Sequence, residues 1–225
     1  MALSLAACGG SSTTTTTATD TTTTTTTTTD AAQSIALTIA ADTVTGGSGA
    51  DAISGARVYG IVTLNASDVG DGGAGVDTLT ARTVEGLATS SISNVENVVF
   101  TETGAGGDTI VFSTAAATYI SGVTSITNLA STNNLTFGRV TESADLTVNN
   151  SATTTTLQFA DSVLTGTADS ITVNLNAATA AVTVGTVTDA DGDYETLVIN
   201  ASGAASDLVA GGGLVWWTVC VVVGV

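Results

Sequence analysis

The chain has 225 residues, of which 43% are hydrophobic, 4% aromatic and 10% charged, and its three basic residues face twenty acidic ones for a net charge of -17. That length holds one large or two small domains, with a core built mainly from Ala, Val, Ile and Leu in thin layers. The charge argues against nucleic acid and anionic membranes as partners, and the lack of His leaves hard oxygen ligands as the available metal chemistry.

Residues 1–10 contain Leu5-Ala6-Ala7-Cys8, which resembles the lipobox of bacterial lipoproteins, and Gly9-Gly10-Ser11-Ser12 after it is similar to the start of a lipoprotein tether. The resemblance implies acylation of Cys8. The segment reads as a truncated lipoprotein signal, because the charged n-region and most of the apolar h-region of about 7 to 15 residues are missing. The same residues also read as a short N-terminus with an inert Cys. Residues 11–33 are a Thr-rich, low-complexity linker with nothing to bury, expected to be an extended stalk.

From 34 to 213 the chain reads as an all-β repeat domain. Residues 34–40 alternate with period two, and short apolar runs follow at 58–64, 97–101, 109–112, 134–137, 146–148, 156–159, 171–175, 181–184 and 196–200. The one helical candidate, 113–120, is too short to weigh much. Between 41 and 80 lie two complete nonapeptides of the form Gly-Gly-x-Gly-x-Asp-x-apolar-x. They carry Gly46, Gly47, Gly49 and Asp51, then Gly72, Gly73, Gly75 and Asp77. Glycines admit the positive φ that lets carbonyls crowd a cation, Asp supplies charge, and the apolar residue plugs the core. These are the expected calcium ligands, although the pattern also fits metal-free Gly/Asp turns. Asp42 and Asp68 each stand nine residues before the motif Asp, which places them on the opposite turn. A third copy at 103–110 lacks the first Gly and carries Asp108. Strands stack ~4.8 Å apart, so aligned carboxylates would repel by about 3 kcal/mol per pair at an effective dielectric near 20. A bound divalent cation reverses that sign. The acidic run 189–193 has its Gly too early for an EF-hand loop and reads as a solvated turn.

The chain also repeats itself. Residues 41–53 recur at 160–171 with one deletion, and 96–108 align without gaps on 195–207. The domain therefore reads as two degenerate modules, about 41–159 and 160–213, and stacked repeats of this kind imply a parallel β-solenoid of the β-helix or β-roll type. Tandem β-sandwiches are the alternative.

The Gly-Asp nonapeptides, Gly-Val-Asp-Thr-Leu-Thr at 75–80, Ser-Asn-Val-Glu-Asn at 93–97 and Tyr-Glu-Thr-Leu at 194–197 resemble RTX-type, β-strand-repeat bacterial surface proteins of the S-layer kind. The resemblance implies a right-handed parallel β-solenoid with calcium between stacked turns, although the nonapeptides here are isolated and not an unbroken run. It implies an extracellular or cell-surface location, with any membrane contact through a lipid on Cys8 in the outer membrane. The expected function is a non-enzymatic, calcium-stabilised structural or adhesive protein. Its expected partners are calcium, other copies of itself or surface polysaccharide. An RTX export region of a larger secreted enzyme and a carbohydrate- or ice-binding solenoid are the alternatives; no catalytic constellation is visible. The apolar end, 214–225, is too short for a transmembrane helix of about 20 residues and reads as a last strand or an aggregation-prone tail. Cys220 is expected to be free of any disulfide.

Overall fold

The computed structural model describes residues 31–84, 90–165, 168–187 and 194–203, and four further strands at Thr15–Thr16, Thr24–Thr26, Asp207–Ala210 and Thr218–Val223. Among the described residues every regular element is a β-strand. Residues 113–120 are no helix: Ser113 bridges Thr118, and Ile120 bridges Ile92.

One long parallel sheet has ten strands. In order across the sheet they are β1 (Thr15–Thr16), β3 (Ser34–Ala36), β5 (Ala52–Gly55), β9 (Thr78–Thr83), β11 (Asn97–Glu102), β13 (Ser125–Leu129), β15 (Asp145–Asn149), β17 (Ser170–Asn176), β19 (Thr196–Ser202) and β21 (Thr218–Val223). Between successive strands of this sheet the chain makes a circuit through another one. The early circuits pass through a parallel sheet of β2 (Thr24–Thr26), β4 (Thr43–Thr45), β8 (Val69–Asp71) and β10 (Ser91–Ser93). The later ones pass through β12 (Asp108–Val111), β14 (Leu135–Val140), β16 (Thr155–Phe159), β18 (Ala181–Thr186) and β20 (Asp207–Ala210). These parallel ladders between circuits run against tandem sandwiches, whose sheets are antiparallel. The aligned segments 96–108 and 195–207 occupy equivalent places, β11 with β12 and β19 with β20.

Most strands whose burial is described bury alternate residues, so the period-two pattern of the sequence becomes columns of like side chains. Ile35, Ile53, Leu79, Val98, Ile126, Leu146, Val173 and Ile199 lie in register along the long sheet, and all but the partly buried Ile199 are sealed from solvent. β-Branched and Leu side chains stacked at ~4.8 Å fill a thin layer without voids. In the later circuits Phe100, Phe112, Phe137 and Phe159, all fully buried, join the core.

Two sequence expectations are corrected here. Residues 34–40 form a strand only over Ser34–Ala36, because 37–42 must turn the chain into β4. The run 58–64 is not one strand but an antiparallel hairpin of β6 (Arg57–Val58) and β7 (Ile61–Val62), followed by a turn. Its tip, Tyr59 at φ 49° and Gly60 at φ 87°, has the two left-handed residues of a type I′ turn. The expected last strand exists as β21, which pairs with β19.

From β13 to β19 each strand of the long sheet leaves through a left-handed residue: Ala130 (φ 50°), Asn150 (φ 52°), Ala177 (φ 51°) and Gly203 (φ 79°). The N–H groups of the first three donate to Asn149, Asn176 and Ser202 carbonyls of the following circuit, at 2.8, 2.8 and 3.0 Å. Asn and Gly adopt this conformation readily, whereas Ala carries a steric cost of about 1–2 kcal/mol. Ala130→Gly and Ala177→Gly should therefore each stabilise the protein by about 0.5–1 kcal/mol after the entropy cost of glycine. Circular-dichroism melts should show this as an increase of about 1–4 °C in Tm per substitution.

Candidate metal centre

The two complete nonapeptides form consecutive stacked turns at the corner where the chain returns from the second sheet to the long one: 46–51 leads into β5 and 72–77 into β9. Their closeness explains the glycines. A Cβ on Gly46 would overlap the Gly72 carbonyl oxygen and stand 2.6 Å from Asp51 Oδ2. A Cβ on Gly72 would overlap the Asn94 carbonyl oxygen and stand 2.7 Å from Asp77 Oδ2. Gly73 and Gly75 have φ of 95° and 122°, which side chains rarely tolerate, and they lie against the Gly47 and Gly49 carbonyls of the preceding turn. Carbonyl oxygens and carboxylates thus crowd the same small cradle.

The carboxylates form a ladder between circuits. Gln33 N–H donates to Asp51 Oδ1, Asp51 N–H to Asp77 Oδ1 and Asp77 N–H to Glu96 Oε2, each at 2.7 Å. The same device returns where Asp169 N–H donates to Glu195 Oε2 at 2.7 Å. Backbone N–H groups therefore offset much of the repulsion that stacked carboxylates would suffer. At the opposite corner Asp42 N–H donates to Asp68 Oδ1 at 3.0 Å. There Thr38 N–H reaches Asp42 Oδ2 at 2.6 Å, and Asn65 N–H reaches Asp68 Oδ2 at 2.8 Å. Asp42 and Asp68 thus sit on the opposite turn, as their spacing predicts.

One oxygen breaks the pattern. In the first turn Asp51 Oδ2 accepts from Gly47 N–H at 2.7 Å. In the second, the equivalent Gly73 N–H goes instead to Asp71 Oδ1 at 3.0 Å, and Asp77 Oδ2 is left buried without a hydrogen bond. Asn94 Nδ2 also donates to Asp71 Oδ1, at 2.8 Å. Burial raises the pKa of Asp77 above its ordinary value; the Asp51 N–H bond opposes the shift, while the charges of Asp51, Glu96 and Asp71 add to it. Asp68 is raised as well, chiefly by burial, with the Asp42 charge adding and the Asn65 and Asp42 N–H groups opposing. Asp71, Glu96 and Asn94 were not among the residues singled out from the sequence. The signal for Glu96 was its place in the 96–108 repeat, directly ahead of a strand of the long sheet, where Asp51 and Asp77 also stand.

The third copy is elsewhere. Residues 103–108 join β11 to β12, a different corner from the first two motifs. Asp108 Oδ1 accepts from Thr109 N–H at 2.8 Å. Asn133 Nδ2 donates to the Gly104 carbonyl, and Gly104 N–H donates to Glu102 Oε1. Asp108 is therefore not brought together with Asp51 and Asp77. Cys8, the 189–193 run and the side chain of Cys220 lie outside the described residues.

Calcium fits the donor set at Asp77 in kind, because an orphaned, buried carboxylate oxygen stands beside Gly72 and the Asn94 main-chain carbonyl oxygen is close by. Carboxylates alone do not make the site. Among the described residues no three His, Cys, Asp or Glu side chains are grouped as a metal would need. A cation here would depend on Gly-turn carbonyls with Asp77 as its anchor. Compared with protein families, with curated proteins and with solved structures, the chain finds no match.

Proposed function

We propose that this chain is a non-enzymatic, calcium-stabilised structural or adhesive module of a bacterial cell surface, folded as a parallel β-solenoid and tethered through its Thr-rich stalk and an acylated Cys8. The observation that carries the reading is the orphaned Asp77 Oδ2 beside Gly72, at the corner where two Gly-Asp turns stack. Elsewhere in the two Asp columns the second carboxylate oxygen has a backbone N–H partner. Bound calcium would satisfy the odd one and offset part of the charge of -17.

Thermal unfolding of the whole chain in chelator and in millimolar calcium tests this, for the wild type and for Asp77→Asn. Extracellular modules bind calcium at about 10⁻⁴ to 10⁻³ M, and tenfold excess over the dissociation constant adds roughly 1.4 kcal/mol per site. Asn keeps an Oδ1 acceptor for Asp51 N–H and removes the buried charge. Asp77→Asn should therefore match or exceed the wild type in chelator and lose the response to calcium. A raised carboxyl pKa means that the folded state holds the proton more tightly than the unfolded state does. In chelator, the contribution of Asp77 and Asp68 to stability should rise as pH falls from neutral towards the ordinary aspartate range, and calcium should suppress the Asp77 part of that rise. A wild-type melt indifferent to calcium would make these plain turns.

A second reading, binding of polysaccharide or ice by a hydroxyl-bearing face, gains one specific observation. Thr109, Thr136, Thr156 and Thr183 stand in register on successive strands β12, β14, β16 and β18. They alternate along each strand with buried residues and so face outward. The rank beside them contains Val111, Gly138, Gln158 and Gly185, so the hydroxyl column is single.

A further inference from the structure

The hairpin β6–β7 lengthens its circuit: Gln33 and Asp51, joined across the preceding circuit, are 18 residues apart, whereas Asp51 and Asp77 are 26 apart. The added residues leave the sheets and end in Tyr59, which is 98% exposed. Among the described residues no hydrogen bond or ring contact holds it. It also occupies a left-handed tip position that Asn or Gly would take with less strain. Val58 and Ile61 beside it are 40% and 53% exposed, and Ile39 lies exposed on the preceding turn of the same corner. Arg57, one of three cations in the chain, is exposed, and its Nε donates to the Gly60 carbonyl at 2.9 Å, which ties the charge over the tip. An exposed Tyr and an Arg ringed by aliphatic side chains have the composition of an interface anchor.

At the other end of the same strands, the 72–77 turn presents the complementary surface. Val76 is 59% exposed there, and the partly exposed Asp71 and Glu96 carboxylates lie at the same corner. We propose that the Tyr59 hairpin docks on the 72–77 turn of a second copy of this chain, with Tyr59, Val58 and Ile61 covering Val76 and Arg57 meeting the Asp71 and Glu96 carboxylates. Charge complementarity selects the occupant. A chain of net charge -17 has an acidic surface to offer its own rare cation, and a hydroxyl-rich sugar would gain little from Val58, Ile61 and Val76. Each copy uses two different surfaces at opposite corners. The contact is therefore heterologous and adds copies head to tail. It extends the structural role proposed above without needing bound metal: a calcium failure shows in the melts, a failure here in the association state.

Sedimentation velocity of the full chain, over about 1 to 100 μM and in both chelator and calcium, tests it. Tyr59→Asn places Asn-Gly at the tip, the pair that type I′ turns favour most, so the hairpin persists without its anchor. Val76→Ser removes the opposite surface. The wild type should form concentration-dependent oligomers, and each variant alone should weaken association by roughly thirtyfold or more. An equimolar mixture of the two variants should form dimers and nothing larger, because each keeps one intact surface. A monomeric wild type, oligomers unchanged by either substitution, or variants that fail to pair when mixed would each overturn the proposal. So would glycan binding that depends on Tyr59 in a protein that stays monomeric.

Discussion

Phe137→Ala should lower the unfolding free energy by about 3–5 kcal/mol, the range for emptying a fully buried Phe site. Phe137 has no exposed surface and lies between Phe100, 6.1 Å away and tilted by 53°, and Phe112, 6.3 Å away and edge-on at 74°. Aromatic residues are 4% of the chain, yet three of its Phe rings meet here. Neighbouring backbone belongs to continuous parallel ladders on β12, β14 and β16, so it cannot collapse freely into the cavity. Circular-dichroism melts should show a loss of about 6–20 °C in Tm. Phe137→Leu keeps more of the volume and should cost less than about 1.5 kcal/mol. The cluster stands away from the 46–51 and 72–77 turns, so both costs should be the same in chelator and in calcium. A cost that calcium erases would mean that the aromatic core and the Gly-Asp turns fold as one unit.

Much of the strand content was legible because alternation is a local signal. The runs at 97–101, 146–148, 171–175 and 196–200 fall within β11, β15, β17 and β19. The gapless match of 96–108 to 195–207 identified two pairs of strands that occupy equivalent places. What local pattern does not carry is which corner a turn occupies. The third Gly-Asp copy looks like the first two, but it follows β11 into a different sheet, and its Asp108 stands apart from Asp51 and Asp77. Nor does local pattern show how a buried polar group is satisfied. Glu102 is sealed inside because Thr83 Oγ1, on the preceding circuit, donates to it at 2.5 Å. Asn128 is buried because Thr155 Oγ1, on the next circuit, accepts from its amide at 2.6 Å. These partners are 19 and 27 residues away, a separation set by circuit length and not by any motif. The hairpin is hidden in the sequence for a related reason: its apolar residues look like a core strand, and only the inserted length turns them outward.

Gly72→Ala should be nearly as damaging as the loss of Phe137, by about 3 kcal/mol, the upper part of the usual range for overpacking. Its Cβ would overlap the Asn94 carbonyl oxygen and press on Asp77 Oδ2 at 2.7 Å, and the groups in the way are backbone and a buried carboxylate. The strain cannot be relieved by rotating a flexible side chain; two stacked turns must separate. Gly46→Ala should behave alike, because its Cβ would overlap the Gly72 carbonyl oxygen and stand 2.6 Å from Asp51 Oδ2. Gly106→Ala should do the opposite. It belongs to the third copy of the motif, but an added Cβ there meets nothing within 4 Å, and Gly106 is not among the positive-φ glycines. Restricting the unfolded chain at a compatible position stabilises by about 0.4–1 kcal/mol. Melting the three variants beside the wild type in chelator separates close stacking from metal binding, since no cation is present to be lost. If Gly72→Ala and Gly106→Ala shift Tm alike, the 72–77 turn is not packed against the Asn94 carbonyl as described, and the cradle beside Asp77 loses its basis.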